Sequence, residues 1–79
     1  MREIEPIYIA LGKIIMACRH ERDLSQEYVA DWLGLTRTSV VNMEAGRQRI
    51  MLHTVLDLAV LMMIEPGELI DRAMELVRQ

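Results

Sequence analysis

Arg37, Thr38, Val41 and Asn42 fall on one stripe if their segment is helical, with Val40 and Met43 on the opposite side. An arginine can grip O6 and N7 of a guanine with two hydrogen bonds, and an asparagine can do the same with an adenine. Thr38 and Val41 offer apolar contact to a thymine methyl. The same stripe also suits an ordinary solvated helix face, so residue types alone leave both readings open. Catalysis has no comparable case. His20 and His53 are far apart, and no cysteine or carboxylate cluster has metal-ligand spacing. There is no glycine-rich phosphate loop and no nucleophile with an adjacent base. No enzyme activity, cofactor or metal is expected.

The stripe needs an element to carry it, and LSQEYVADWLGLTRTSVVNMEAGRQR, from Leu24 to Arg49, supplies one. Ser25 is a good N-cap for a helix in which Val29, Ala30 and Leu33 face inward. Gly34 fits a left-handed C-cap. Thr36 caps the next helix, Val40 and Met43 form its buried edge, and Gly46 closes it. Two short helices with a tight joint have the build of a helix-turn-helix over about residues 25–45, a shape that lays its second helix into the major groove of DNA.

Three further helices are expected around this pair. Glu5-Pro6 opens the first, since proline tolerates the first helical position. Tyr8, Leu11, Ile15 and Cys18 repeat at helical spacing, Ile4, Ile7 and Ile14 widen the apolar face, and the helix ends near Arg22-Asp23. A fourth helix, from about Leu52 to Met62, should turn Leu52, Val55, Leu56, Ala59 and Met62 inward. Its start is poorly signalled, because Ile50 and Met51 offer no capping oxygen. Pro66 opens a last helix with Leu69, Ile70, Ala73, Leu76 and Val77. The fold class expected is all-α, with five helices in a single domain over residues 1–79.

Composition sets limits on what such a domain does. About half of the 79 residues are apolar, with no phenylalanine and only Tyr8, Tyr28 and Trp32 aromatic. That is much apolar surface for so small a domain, and a homodimer is the simplest way to cover the excess. The net charge of −3 argues against a promiscuous polyanion binder. Its distribution leaves one basic face possible: residues 36–50 carry Arg37, Arg47 and Arg49 against Glu44 alone, while the acids concentrate after Met51. Cys18 stands alone, so no internal disulfide can form and the chain reads as cytoplasmic. Charges interrupt every apolar run well short of the ~20 residues of a membrane span, and MREIEP does not resemble a signal peptide.

From Leu11 to Ile70 the chain resembles the Cro/C1-type (XRE) helix-turn-helix family of phage and bacterial regulators. The resemblance rests on LG at 11–12, Arg19, LSQE at 24–27, VA at 29–30, LGLTRTSV at 33–40, Glu44, Gly46 and Arg47. L-x-T-V-L-x-L-A from Leu52 and P-x-E-L-I from Pro66 complete it. It implies a lambda-repressor-like five-helix fold with the helix-turn-helix formed by helices 2 and 3. It also implies that Arg37, Thr38, Val41 and Asn42 face DNA bases, and that Gln26, Thr36, Arg47 and Arg49 contact phosphates. The corresponding arginine of helix 1 pairs with the glutamate ending the recognition helix in such relatives, so Arg19 and Glu44 are expected to form a structural ion pair.

Three positions depart from that pattern. Ala45 stands where a polar or basic residue often touches phosphate, Met51 where a capping serine is common, and Met63 where glycine often ends helix 4. The family often dimerises through this end, so Met51, Val60, Met63 and Ile64 are expected at a dimer interface, with helices 4–5 (about 52–78) serving core and dimerisation. Trp32 falls on the outward side of helix 2, either as a second contact surface or covered by helix 1.

The resemblance therefore implies a dimeric, sequence-specific DNA-binding transcriptional regulator, with repression as the expected sign. No ligand-sensing domain or small-molecule ligand is expected, which suits an autoregulator: a phage or plasmid repressor, or a restriction–modification controller. The rival is an antitoxin-type interaction module that neutralises a partner toxin; RNA polymerase is the other protein partner to consider.

Overall fold

A computed structural model of the chain describes residues 5–79, so the expected contribution of Ile4 lies outside the described residues. Five α-helices follow one another: α1 (Pro6–Glu21), α2 (Gln26–Leu33), α3 (Arg37–Glu44), α4 (Leu52–Met62) and α5 (Pro66–Arg78). No strand occurs among the described residues.

Local chemistry accounts for most helix ends. Pro6 sits in the first turn of α1, where its missing N–H costs nothing. After α1 the chain reverses at Asp23, φ 53°, and the Leu24 N–H returns to the Arg19 carbonyl at 3.1 Å. Asp tolerates this left-handed conformation better than most side chains. Ser25 Oγ accepts the Tyr28 N–H at 3.0 Å, and Thr36 Oγ1 accepts the Ser39 N–H at 3.1 Å. Gly34 and Gly46 supply positive φ values of 71° and 73°. Behind Gly46 the Arg47 N–H reaches the Asn42 carbonyl at 3.0 Å, the closing bond of a Schellman turn.

α4 ends differently. Met63 takes the position and the left-handed φ (55°) that glycine usually fills, and the Ile64 N–H bonds the Ala59 carbonyl at 3.0 Å. The turn is the same, but here a side chain with a Cβ bears the strain. Another free carbonyl of that end, that of Met62, accepts from Arg22 Nε, which ties the end of α1 to the end of α4.

The helices pack around Leu11, Ile15 and Cys18 of α1, with Val29, Val40, Met43, Leu58, Met62 and Leu69 fully buried against them. α1 is the central element and packs on α3, α4 and α5. Its approach to α3 is limited only by backbone: a Cβ on Gly12 would collide with the Met43 carbonyl oxygen. The backbones of α1 and α2 do not approach closely, and Trp32 stays 44% exposed rather than covered.

The expected inward face of α4 needs correction. Val55, Ala59 and Met62 are buried as expected, but Leu52 is 72% and Leu56 44% exposed, while Thr54 and Leu58 take their places in the core. α4 is apolar on both sides, so spacing alone could not choose which apolar stripe would be buried.

Candidate nucleic-acid interface

α2 and α3 are joined by three residues, Gly34, Leu35 and Thr36, and their facing sides are held by Val29, Ala30, Val40 and Met43. With Val40 and Met43 buried, the opposite face of α3 turns outward. Arg37 and Thr38 are exposed there, and Val41 and Asn42 are half-buried.

The angle of α3 is fixed from behind. Arg19, 7% exposed, donates from Nε to Glu44 Oε2 at 2.6 Å and from Nη2 to Glu44 Oε1 at 2.9 Å, and Glu44 is itself only 5% exposed. This bidentate pair joins α1 to the last turn of α3. Arg19 Nη1 also donates to the Leu24 carbonyl at 2.8 Å, holding the loop that precedes α2. No buried side-chain nitrogen or oxygen among the described residues lacks a partner.

Glu44 reaches further. Gln26, at the start of α2, donates from Nε2 to Glu44 Oε1 at 3.0 Å, and its Oε1 accepts from Arg37 Nη2 at 3.3 Å. Because the carboxylate can only accept, the Gln26 amide is oriented with its oxygen toward α3, where an arginine donor meets it. Sequence reasoning placed Gln26 at the backbone of DNA and missed this link, since neither spacing nor periodicity signals a contact between α2 and the far end of α3. Arg19, Ser25, Gln26, Glu27 and Arg37 together line an open polar cleft at the α2 N-terminus.

The remaining phosphate candidates are distributed unevenly. Thr36 is exposed, and its hydroxyl both caps α3 and lies 3.1 Å from Ser39 Oγ. Arg47 Nη1 donates to Asn42 Oδ1 at 3.3 Å, joining a phosphate candidate to a base candidate. Arg49 is turned to the N-terminal end of α1, where it makes a bidentate exposed pair with Glu5 at 2.8 and 3.0 Å. That hydrogen bond holds the Glu5 carboxyl below the usual carboxylate range.

The expected interface residues divide. Met51, Val60 and Met63 are 66%, 68% and 90% exposed, and with Leu52 and Leu56 they form one apolar stripe along the outside of α4. Ile64 is 8% exposed and belongs to the core cluster, so little of its surface is left beside Val60 and Met63. Leu52 and Leu56 are the members of the stripe that the sequence reading assigned inward; the signal was their spacing with Val60 and Met63. Elsewhere, burial raises the Cys18 thiol above its ordinary value, so it behaves as a core residue. No group of three or more histidine, cysteine or acidic side chains able to hold a metal occurs among the described residues, and no helix is long and apolar enough to cross a membrane.

Comparison with known proteins adds three findings. A family model described as a helix-turn-helix domain matches residues 10–73. The restriction-modification controller protein C.AhdI from Aeromonas hydrophila is 35% identical, with 78% of this chain and 94% of that chain covered and a TM-score of 0.73. The clp gene regulator ClgR from Corynebacterium glutamicum superposes with a TM-score of 0.88 over 95% of this chain and 80% of that one, at 12% identity, a likeness of fold. No curated protein matches in sequence.

Proposed function

The chain belongs to the helix-turn-helix domain family and is a DNA-binding transcriptional regulator; we propose that it acts in the cytoplasm as a homodimeric autorepressor on a partly palindromic operator. One observation carries the sequence-specific part of this reading. The outward face of α3 bears Arg37, Thr38, Val41 and Asn42, while the other face is held by a buried ion pair and a close backbone contact. A helix rigidly aimed with base-competent side chains outward is what direct readout of a major groove requires.

Around α3, Thr36, Arg47 and the amide-rich N-terminus of α2 at Gln26 take the phosphates, fixing register without reading sequence. Arg49 contributes least, because Glu5 already balances its charge. The apolar stripe on α4, from Met51 to Met63, joins the two protomers. Two copies of α3 then sit about 34 Å apart, one turn of DNA. Control comes through concentration: dimerisation and operator occupancy rise together. The identity to a restriction-modification controller supports a second reading of the sign, in which the same dimer also activates at some promoters.

The test is selection from random duplexes, repeated with Arg37→Ala. The wild-type protein should enrich a partly palindromic site, and Arg37→Ala should relax one position per half-site by about 1–3 kcal/mol of discrimination. A pool with no sequence enriched over background would remove the regulator reading.

A further inference from the structure

Asn42 is half-buried on the outward face of α3, and the acceptor end of its carboxamide is already engaged: Arg47 Nη1 donates to Oδ1 at 3.3 Å. The backbone builds this contact. Gly46, at φ 73°, turns the chain so that the Arg47 N–H bonds the Asn42 carbonyl at 3.0 Å, and a Cβ at Gly46 would come within 3.2 Å of the Ile9 backbone. Two side chains whose backbones are hydrogen-bonded to each other start from fixed positions. The nearby acid does not draw Arg47 away, because Glu44 is buried with Arg19 and Gln26, and Arg47 forms no ion pair among the described residues.

An asparagine that reads adenine uses both ends of its amide, accepting from N6–H2 and donating to N7. Here a guanidinium takes one of the two lone pairs of Oδ1 and sets positive charge beside the other, where the adenine amino group would enter. The end that carries no opposing charge is the Asn42 Nδ2 group with its two hydrogens, beside the other donors of Arg47. Guanine presents the matching edge, with acceptors at both O6 and N7.

We infer that Arg47 is a specificity-determining positioning residue, which converts Asn42 from an adenine reader into a donor that selects guanine. This rests on the proposal that α3 faces the major groove. Arg47 keeps other N–H groups free for a phosphate, so its removal has two separable effects. One is a loss of affinity common to all sequences; the other is a change of preference at one base pair.

The experiment is selection from random duplexes with wild-type protein, Asn42→Ala and Arg47→Ala. The position relaxed by Asn42→Ala identifies the base that Asn42 reads. At that position the wild-type should favour guanine over adenine by roughly 5- to 150-fold, the range of one good base contact. Arg47→Ala should shift the preference there to adenine while lowering affinity for every site and flattening its salt dependence. Three results overturn the inference: adenine at that position in the wild-type site, Arg47→Ala weakening all sequences with the preference intact, or no position relaxed by Asn42→Ala. A wild-type pool without any enriched sequence is a different failure, since it removes the groove-reading proposal itself. Arg47 is exposed and outside the core, so its truncation leaves the fold in place.

Discussion

At the scale of single residues, Arg19 and Glu44 decide how α3 is aimed. Both are buried, so truncating one leaves the other charge in a site built for its partner. An exposed pair contributes about 1 kcal/mol or less, whereas breaking a buried pair costs about 3–5 kcal/mol. Arg19→Ala should therefore lower stability by about 3 kcal/mol, a fall in melting temperature of more than ~10 °C in a domain of this size. An unchanged melting temperature would show that the pair does not hold the fold. The partnership was legible only through the family resemblance, because 25 residues separate the two and no local rule links them. Gln26 bridging Glu44 to Arg37, and Glu5 closing on Arg49 across 44 residues, were not legible at all. Such contacts depend on where whole helices end, and periodicity carries no information about that.

At the scale of elements, the sequence announces helix ends more clearly than helix faces. Ser25, Thr36, Gly34 and Gly46 act at the ends where their side chains, or lack of one, are chemically suited. α4 was misread because Leu52 and Leu56 are as apolar as Leu58, and burial was decided by α1, α2 and α5 rather than by α4 itself. Met63 shows the converse, a departure from local rules with a visible use. Its left-handed backbone is strained for a residue with a Cβ, yet the side chain lies 90% exposed on the apolar stripe. Strain tolerated beside an exposed apolar side chain favours a role outside the monomer. Met63→Gly should stabilise the monomer by about 0.5–1 kcal/mol in dilute thermal unfolding, and weaken self-association in sedimentation. A loss of both, or a gain of both, would separate the strain from the interface and defeat this account.

At the scale of the whole molecule, the proposed dimer turns on the stripe on α4, which would set whether the protein reads one half-site or two. Linking two reading helices raises overall affinity by 10² or more without any new contact to DNA, provided that both can engage together. Val60→Asp puts a charge in the middle of the stripe, at a side chain 68% exposed and outside the monomer core. The substitution should leave the melting temperature of the monomer unchanged within a few degrees. It should also shift sedimentation to the monomer and lower affinity for a two-half-site operator at least tenfold, with binding to a single half-site unaffected. Equal weakening on both DNAs would place Val60 outside the dimer contact.

The close approach at Gly12 separates two sets of positions on α3. The helix is seated by Val40, Met43, Glu44 and the Met43 carbonyl, while positions 37, 38, 41 and 42 lie outside the buried cluster. Because α1 meets backbone there rather than an adjustable side chain, the seat does not depend on what the outer positions carry. The outward surface of α3 is therefore an interchangeable part. On the proposed groove contact, new side chains at those four positions would change what is read while the seat of α3 is inherited unchanged.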